Sequence, residues 1–91
     1  MPAKGETTTG PVRVTIVVRI RQGTLDPQGE AVRQALADMG EEEVSEVRIG
    51  RVIEVVLPSS PGLTEKARGW CDRLLANPVV ESYEIEKIEA V

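Results

Sequence analysis

The sequence predicts a small α+β domain, an antiparallel sheet with two helices on one face, and three observations carry that reading. Residues Val12 to Arg21 alternate apolar and polar; two later segments repeat apolar residues at three- and four-residue spacing; and 91 residues suffice for one small domain. A chain of that length buries roughly 60–65% of the surface its unfolded form exposes. Its core is therefore thin, and oligomerisation is a natural supplement.

The polar, threonine-rich stretch 1–11 reads as a disordered tail, leaving 12–91 as the folded domain. Val12, Val14, Ile16, Val18 and Ile20 then alternate with Arg13, Thr15, Val17, Arg19 and Arg21, the pattern of a strand with one buried face. A turn at Gln22-Gly23-Thr24 leads to a helix. Asp26 suits its N-cap and Pro27 its first position, where no N–H is missed. Ala31, Val32, Ala35, Leu36 and Met39 give it an apolar face expected to cover the sheet, and Gly40 is placed to end it in the left-handed conformation. Gly29 is the anomaly. Glycine inside a first turn costs about 0.5–1 kcal/mol relative to alanine, and capping explains neither it nor Gln28. Those two residues are candidates for partner contact.

Glu41-Glu42-Glu43 reads as a solvated loop rather than a cation site. The β-rich run Val44 to Leu57 that follows exceeds the usual strand of 3–10 residues, so the chain must do something near Gly50. A hairpin at Gly50-Arg51 gives the β-α-β-β-α-β order of a ferredoxin-like domain. One long bent central strand instead keeps Val47, Ile49, Ile53, Val55 and Leu57 on one face, interrupted only by Arg51. The tight hairpin sets Val47 against Glu54, so the bent strand is the better fit, its second half free to pair with another subunit. Arg48 and Arg51 flank Gly50, and arginine is enriched in interface cores. These three join Gln28 and Gly29 as candidate interface residues.

Pro58-Ser59-Ser60-Pro61-Gly62 breaks the chain before a second helix, whose Leu63, Ala67, Trp70, Cys71 and Leu74 form one face. Trp70 and Cys71 read as core residues. Asn77-Pro78 stops that helix, and Val79 to about Ile88 forms a last strand edged by glutamates.

Composition excludes most chemistry. The absence of histidine removes serine and cysteine hydrolase sites, histidine metal ligation and the usual proton shuttle near neutral pH. A lone Cys71 offers neither an internal disulfide nor a zinc site. A net charge of −4 and only two aromatic residues, Trp70 and Tyr83, argue against nucleic acid as a partner. No apolar run approaches the ~20 residues that cross a bilayer, and the N-terminus has no apolar signal region, so a cytoplasmic protein without membrane contact is expected.

Three segments taken in order carry a family resemblance: Leu25-Asp26-Pro27-Gln28-Gly29 with Ala31-Val32 and Ala35-Leu36; Val47-Arg48-Ile49-Gly50-Arg51 with Ile53-Glu54; and Cys71 through Leu74-Leu75-Ala76-Asn77-Pro78-Val79-Val80-Glu81 to Tyr83. Over about residues 12 to 86 the chain resembles PurS, the small subunit of phosphoribosylformylglycinamidine synthase (formylglycinamide ribonucleotide amidotransferase). The resemblance implies a non-catalytic subunit of a three-part enzyme of purine biosynthesis. It would join a glutaminase subunit (PurQ) to an ATP-dependent synthetase subunit (PurL) and support ammonia transfer between them. It further implies a homodimer or homotetramer with no cofactor of its own, ATP, Mg and glutamine being used by the partner subunits. No catalytic residue carries over. An alternative of another class is a regulatory ligand-binding module of ACT type, which shares the small α+β plan.

Overall fold

The computed structural model describes residues 10–91. The tail expected to be disordered thus lies outside the described residues except for Gly10 and Pro11, and Pro11 already opens the first strand. Among the described residues five elements follow one another: β1 (Pro11–Ile20), α1 (Pro27–Asp38), β2 (Gly50–Pro58), α2 (Leu63–Trp70), prolonged by a π turn over Cys71–Leu75, and β3 (Glu81–Ala90).

The sheet has the order β2-β1-β3, antiparallel throughout. The alternation in β1 predicts its register. Val14 lies between Val55 and Ile88, Ile16 between Ile53 and Ile85, and Glu86 is the extra residue of a bulge where Thr15 pairs with Lys87 and Ile16 with Ile85. Val12, Val14, Ile16 and Val18 face α2 and meet Leu63, Ala67, Cys71 and Ala76 in the core, with Trp70 half-buried against it. Both residues of the second helix read as core therefore pack there. The core is as thin as the chain length requires, with Ile16 its largest fully buried side chain.

Local chemistry sets the helix ends. Asp26 caps α1, and at the far end Gly40, at φ +102°, donates to the Ala37 carbonyl (3.0 Å) while Glu41 N–H donates to Leu36 (2.9 Å). That double bond to the last turn is a Schellman motif, which favours glycine at its left-handed position. The second helix begins at Gly62 (φ +73°) and ends where Ala76 N–H reaches back five residues to Cys71 (3.1 Å).

Two expectations are corrected. First, α1 does not cover the sheet. None of its residues enters the core, and Val32 and Met39 stand 40% and 75% exposed. Its inner side is tied instead to the segment 41–49 that returns toward β2, so helix and return segment together form an arm. The arm stretches the described chain to 54 × 28 × 16 Å, with a radius of gyration of 17.7 Å, against about 12 Å for a compact domain of this length. Second, the long strand does not run in the sheet from Val44, nor is it central. Its ladder begins at Gly50, because β1 ends at Ile20 and leaves the residues before Gly50 no strand to pair with, and it forms one edge of the sheet with β1 in the centre. No hairpin forms at Gly50 either. Among the described residues the glycines at positive φ are Gly23, Gly40 and Gly62, and Gly50 is not one of them, whereas tight hairpin turns require positive φ.

Candidate functional site at the arm junction

All five residues singled out in the sequence gather where the arm meets the sheet. Asp26 organises the junction. It is 7% exposed, and its two carboxylate oxygens do different work: Oδ1 accepts from Gly29 N–H (2.9 Å) to cap α1, and Oδ2 accepts from Ile49 N–H (2.8 Å) on the return segment. The Ile49 bond, then the Gly29 bond, hold its carboxyl below the usual range against the opposing effect of burial, and Arg48 nearby adds to the lowering.

That crossing explains Gly29. A Cβ there would overlap the Val47 carbonyl oxygen and stand 2.9 Å from its carbon, so α1 can lie on the return segment only through a residue without a side chain. Gly50 answers to the same constraint, since its Cβ would overlap the Val18 carbonyl oxygen. Gln28, one position before Gly29, is exposed and lines a shallow recess of about 200 Å³ with Pro27, Ile49 and Arg51.

The two arginines close the ends of neighbouring elements. The Arg48 guanidinium donates to the carbonyls of Ile20 (2.8 Å), Arg21 (2.7 Å) and, more weakly, Thr24 (3.4 Å), satisfying acceptors that β1 leaves where its ladder stops. Arg51 points the other way, across β1. It holds the Glu81 carboxylate with two nitrogens (2.8 and 3.2 Å) and donates to the Leu75 carbonyl at the end of the π turn (2.7 Å). Glu81 also accepts from Asn77 N–H (2.7 Å). Arg51 first, then the Asn77 N–H, hold the Glu81 carboxyl below its ordinary range, and the same bond raises Arg51 further above neutrality.

Sequence reasoning missed Asp26 as a bridge and Glu81 as a partner. Asp26 carried a sufficient explanation as a cap, and Glu81 lies thirty residues from Arg51 with no local signal joining them. Around the junction runs an open groove of about 500 Å³, lined by Val17, Arg19, Gln22, Arg48 and Val52 among others. Burial, then Asp72, pushes the Cys71 thiol up, and burial, then a hydrogen bond with Asp72, pushes the Tyr83 phenol up, so both stay protonated near neutral pH and are weak nucleophiles. No cluster of three metal-ligating side chains occurs among the described residues, and none of their helices is long and apolar enough to cross a membrane.

Comparisons place this architecture among known proteins. The family model PurS, described as phosphoribosylformylglycinamidine (FGAM) synthase, matches residues 13–89. The phosphoribosylformylglycinamidine synthase subunit PurS of Bacillus subtilis is 40% identical over 80 residues, 87% of this chain and 95% of the relative. The solved structure of B. subtilis PurS superposes with a TM-score of 0.79 at 38% identity, over 86% of this chain and 98% of that one. A chain from the structure of PurLQS of Thermotoga maritima gives a TM-score of 0.70 at 28% identity, covering 89% of this chain and 98% of that chain.

Proposed function

The chain belongs to the PurS family, whose members are subunits of phosphoribosylformylglycinamidine synthase, and from that membership we propose that it is the non-catalytic assembly subunit of a three-part synthase of de novo purine biosynthesis. It bridges a glutaminase subunit, PurQ, and an ATP-dependent synthetase subunit, PurL, and supports the passage of ammonia between them. The observation that carries this reading is the likeness, over nearly the full length of both chains, to the T. maritima protein solved within PurLQS. ATP, Mg and glutamine are used by the partner subunits, this one holds no cofactor, and the assembly works in the cytoplasm.

The residues of the junction suit such a role. Gly29, Arg48 and Gly50 set the angle and position of the arm through contacts within the chain, Arg51 braces the neighbouring end of the sheet against Glu81 and Leu75, and Gln28 stands at the exposed start of its helix. The five residues are thus interface residues in two senses, four shaping the surface and one lying on it. The exposed arm and the open edge of β2 supply the surfaces for a homodimer or homotetramer, which compensates for the thin core.

Reconstitution tests the reading. With purified PurL and PurQ partners, adding this chain should switch on glutamine-dependent amidation of formylglycinamide ribonucleotide, while amidation driven by free ammonia should need it far less. Equal glutamine-dependent turnover with and without the chain overturns the proposal.

A further inference from the structure

We propose that the open edge of β3 receives an extended segment of a partner subunit as an added strand, laid along the groove beside α2, and that this segment alternates apolar residues with lysine or arginine. The surface lies at the edge of the sheet opposite β2, and its assignment to a partner subunit rests on the assembly reading above.

The β1–β3 ladder fixes where the backbone of β3 points. Arg21 N–H donates to the opposed Val80 carbonyl (2.8 Å) at one end, and Val91 N–H donates to the opposed Pro11 carbonyl (3.1 Å) at the other. In an antiparallel pair, opposed residues that exchange hydrogen bonds alternate with opposed residues that do not. Counting inward from both ends, Ser82, Glu84, Lys87 and Glu89 bond to β1, while Tyr83, Ile85 and Ile88 turn their N–H and C=O groups outward. None of these three makes a backbone hydrogen bond elsewhere among the described residues, and β3 has β1 as its one neighbour in the sheet. Such a row is a template for a further strand.

A groove flanks the row. Between α2 and β3 lies a recess of about 500 Å³, lined by Tyr83, Ile85 and Ile88 on the strand and by Thr64 and Arg68 on the helix. Ile88 remains 37% exposed although it stands opposite Val14, on the face turned toward α2. The three residues whose backbone points outward are therefore the three that wall the groove. A strand added here would send every second side chain into it, against the two isoleucines and the stem of Arg68, positions that call for apolar residues. In strand addition the backbone bonds supply affinity and the flanking pockets select alternate side chains.

Charge selects the remaining positions. β3 carries four glutamates and one lysine. On the face away from α2 stand Glu84 and Glu89, whose arginine partners Arg19 (3.5 Å) and Arg13 (3.9 Å) lie one strand inward on β1, and Glu86 occupies the bulge with no ion pair among the described residues. A lysine or arginine arriving opposite Glu84 or Glu86 meets opposite charge across the strands, whereas a second copy of β3 would set glutamates against glutamates. The edge thus disfavours its own copy and favours a basic segment, and the bulge guards it against indiscriminate pairing.

Hydrogen exchange in the reconstituted synthase tests this, with purified PurL and PurQ as the probe and residue-resolved mass spectrometry as the readout. In the chain alone the amides of Tyr83, Ile85 and Ile88 should exchange faster than those of Ser82, Glu84 and Lys87, and in the complex the first set should slow by about tenfold or more. The Glu84→Lys, Glu86→Lys double variant, its fold checked by circular dichroism, should bind the partners about tenfold more weakly than the parent, with the gap closing as salt rises. A complex that restores glutamine-dependent amidation yet leaves the three amides as fast as in the free chain overturns the docking and leaves the assembly role standing. Protection of the three amides in the free chain that grows with its concentration assigns the edge to a second copy and overturns the partner segment. Undiminished binding by the double variant overturns its basic character. A chain that joins neither subunit overturns the assembly reading and the docking with it.

Discussion

Replacing Gly29 by alanine sets two physical effects against each other in one experiment. Helix propensity alone favours alanine by about 0.5–1 kcal/mol, and in an uncrowded helix the variant would be more stable. Here the new Cβ would overlap the Val47 carbonyl oxygen and approach the Asp26 Cγ to 3.0 Å. Both neighbours resist displacement, one because it is backbone, the other because its carboxylate holds Gly29 N–H and Ile49 N–H at 2.9 and 2.8 Å. Overpacking against surroundings that cannot yield costs about 1–3 kcal/mol. Subtracting the propensity gain leaves a net destabilisation of about 0–2.5 kcal/mol, centred near 1 kcal/mol, and each kcal/mol lowers Tm by about 4–8 °C in a domain of this size. Thermal unfolding by circular dichroism at fixed protein concentration measures it, since association would otherwise shift Tm. A Tm raised above the parent's, as propensity alone would give, would refute the crossing of α1 over the return segment.

Four further outcomes are expected. Acid should destabilise the fold through Asp26, Glu30 and Glu81, whose carboxyls are held below their ordinary range by the Ile49 N–H, by Arg33 and by Arg51 respectively. Because the folded-state values are depressed, this stabilisation is complete above about pH 5 and fades as pH falls through the carboxylate range; a urea midpoint unchanged between pH 7 and pH 3 would contradict it. Arg51→Met should cost about 0.2–1 kcal/mol, the worth of a half-exposed ion pair, and return the Glu81 carboxyl toward its ordinary range in an NMR titration. Ile16→Ala, at the fully buried centre of β1, should cost about 2–5 kcal/mol, read as a lowered denaturant midpoint. Cys71, fully buried with its thiol raised, should react with a thiol reagent only as fast as the chain unfolds, and rapid labelling under native conditions would show the core to be open.

Much of this structure was legible in the sequence because it is local. The alternation of β1 predicts which of its residues face α2, Asp26 and Gly40 mark the ends of α1, and Asn77-Pro78 closes the second helix. The docking of α1 was not legible. Apolar spacing shows that a helix has a face to bury but not what buries it, and the expectation that the face meets the sheet of the same chain failed for that reason. The junction was half legible. Gly29 and Gly50 stood out because they contradict local preference, yet the carbonyls that require them belong to Val47 and Val18, 18 and 32 residues away. Likewise Arg48 and Arg51 were visible as a pair beside a glycine, while their acceptors at Ile20 and Glu81 become neighbours only once the sheet has formed.

The two-handed grip of Asp26 has a kinetic corollary. One carboxylate holds both the start of α1 and the end of the return segment, so the two limbs of the arm are already fixed to each other before anything meets them. A surface preorganised in this way loses little conformational freedom on association. Asp26→Asn keeps the shape but weakens the grip. It should therefore slow productive encounter with any partner of the arm more than it speeds dissociation, which separates recognition by a ready-made surface from folding upon contact.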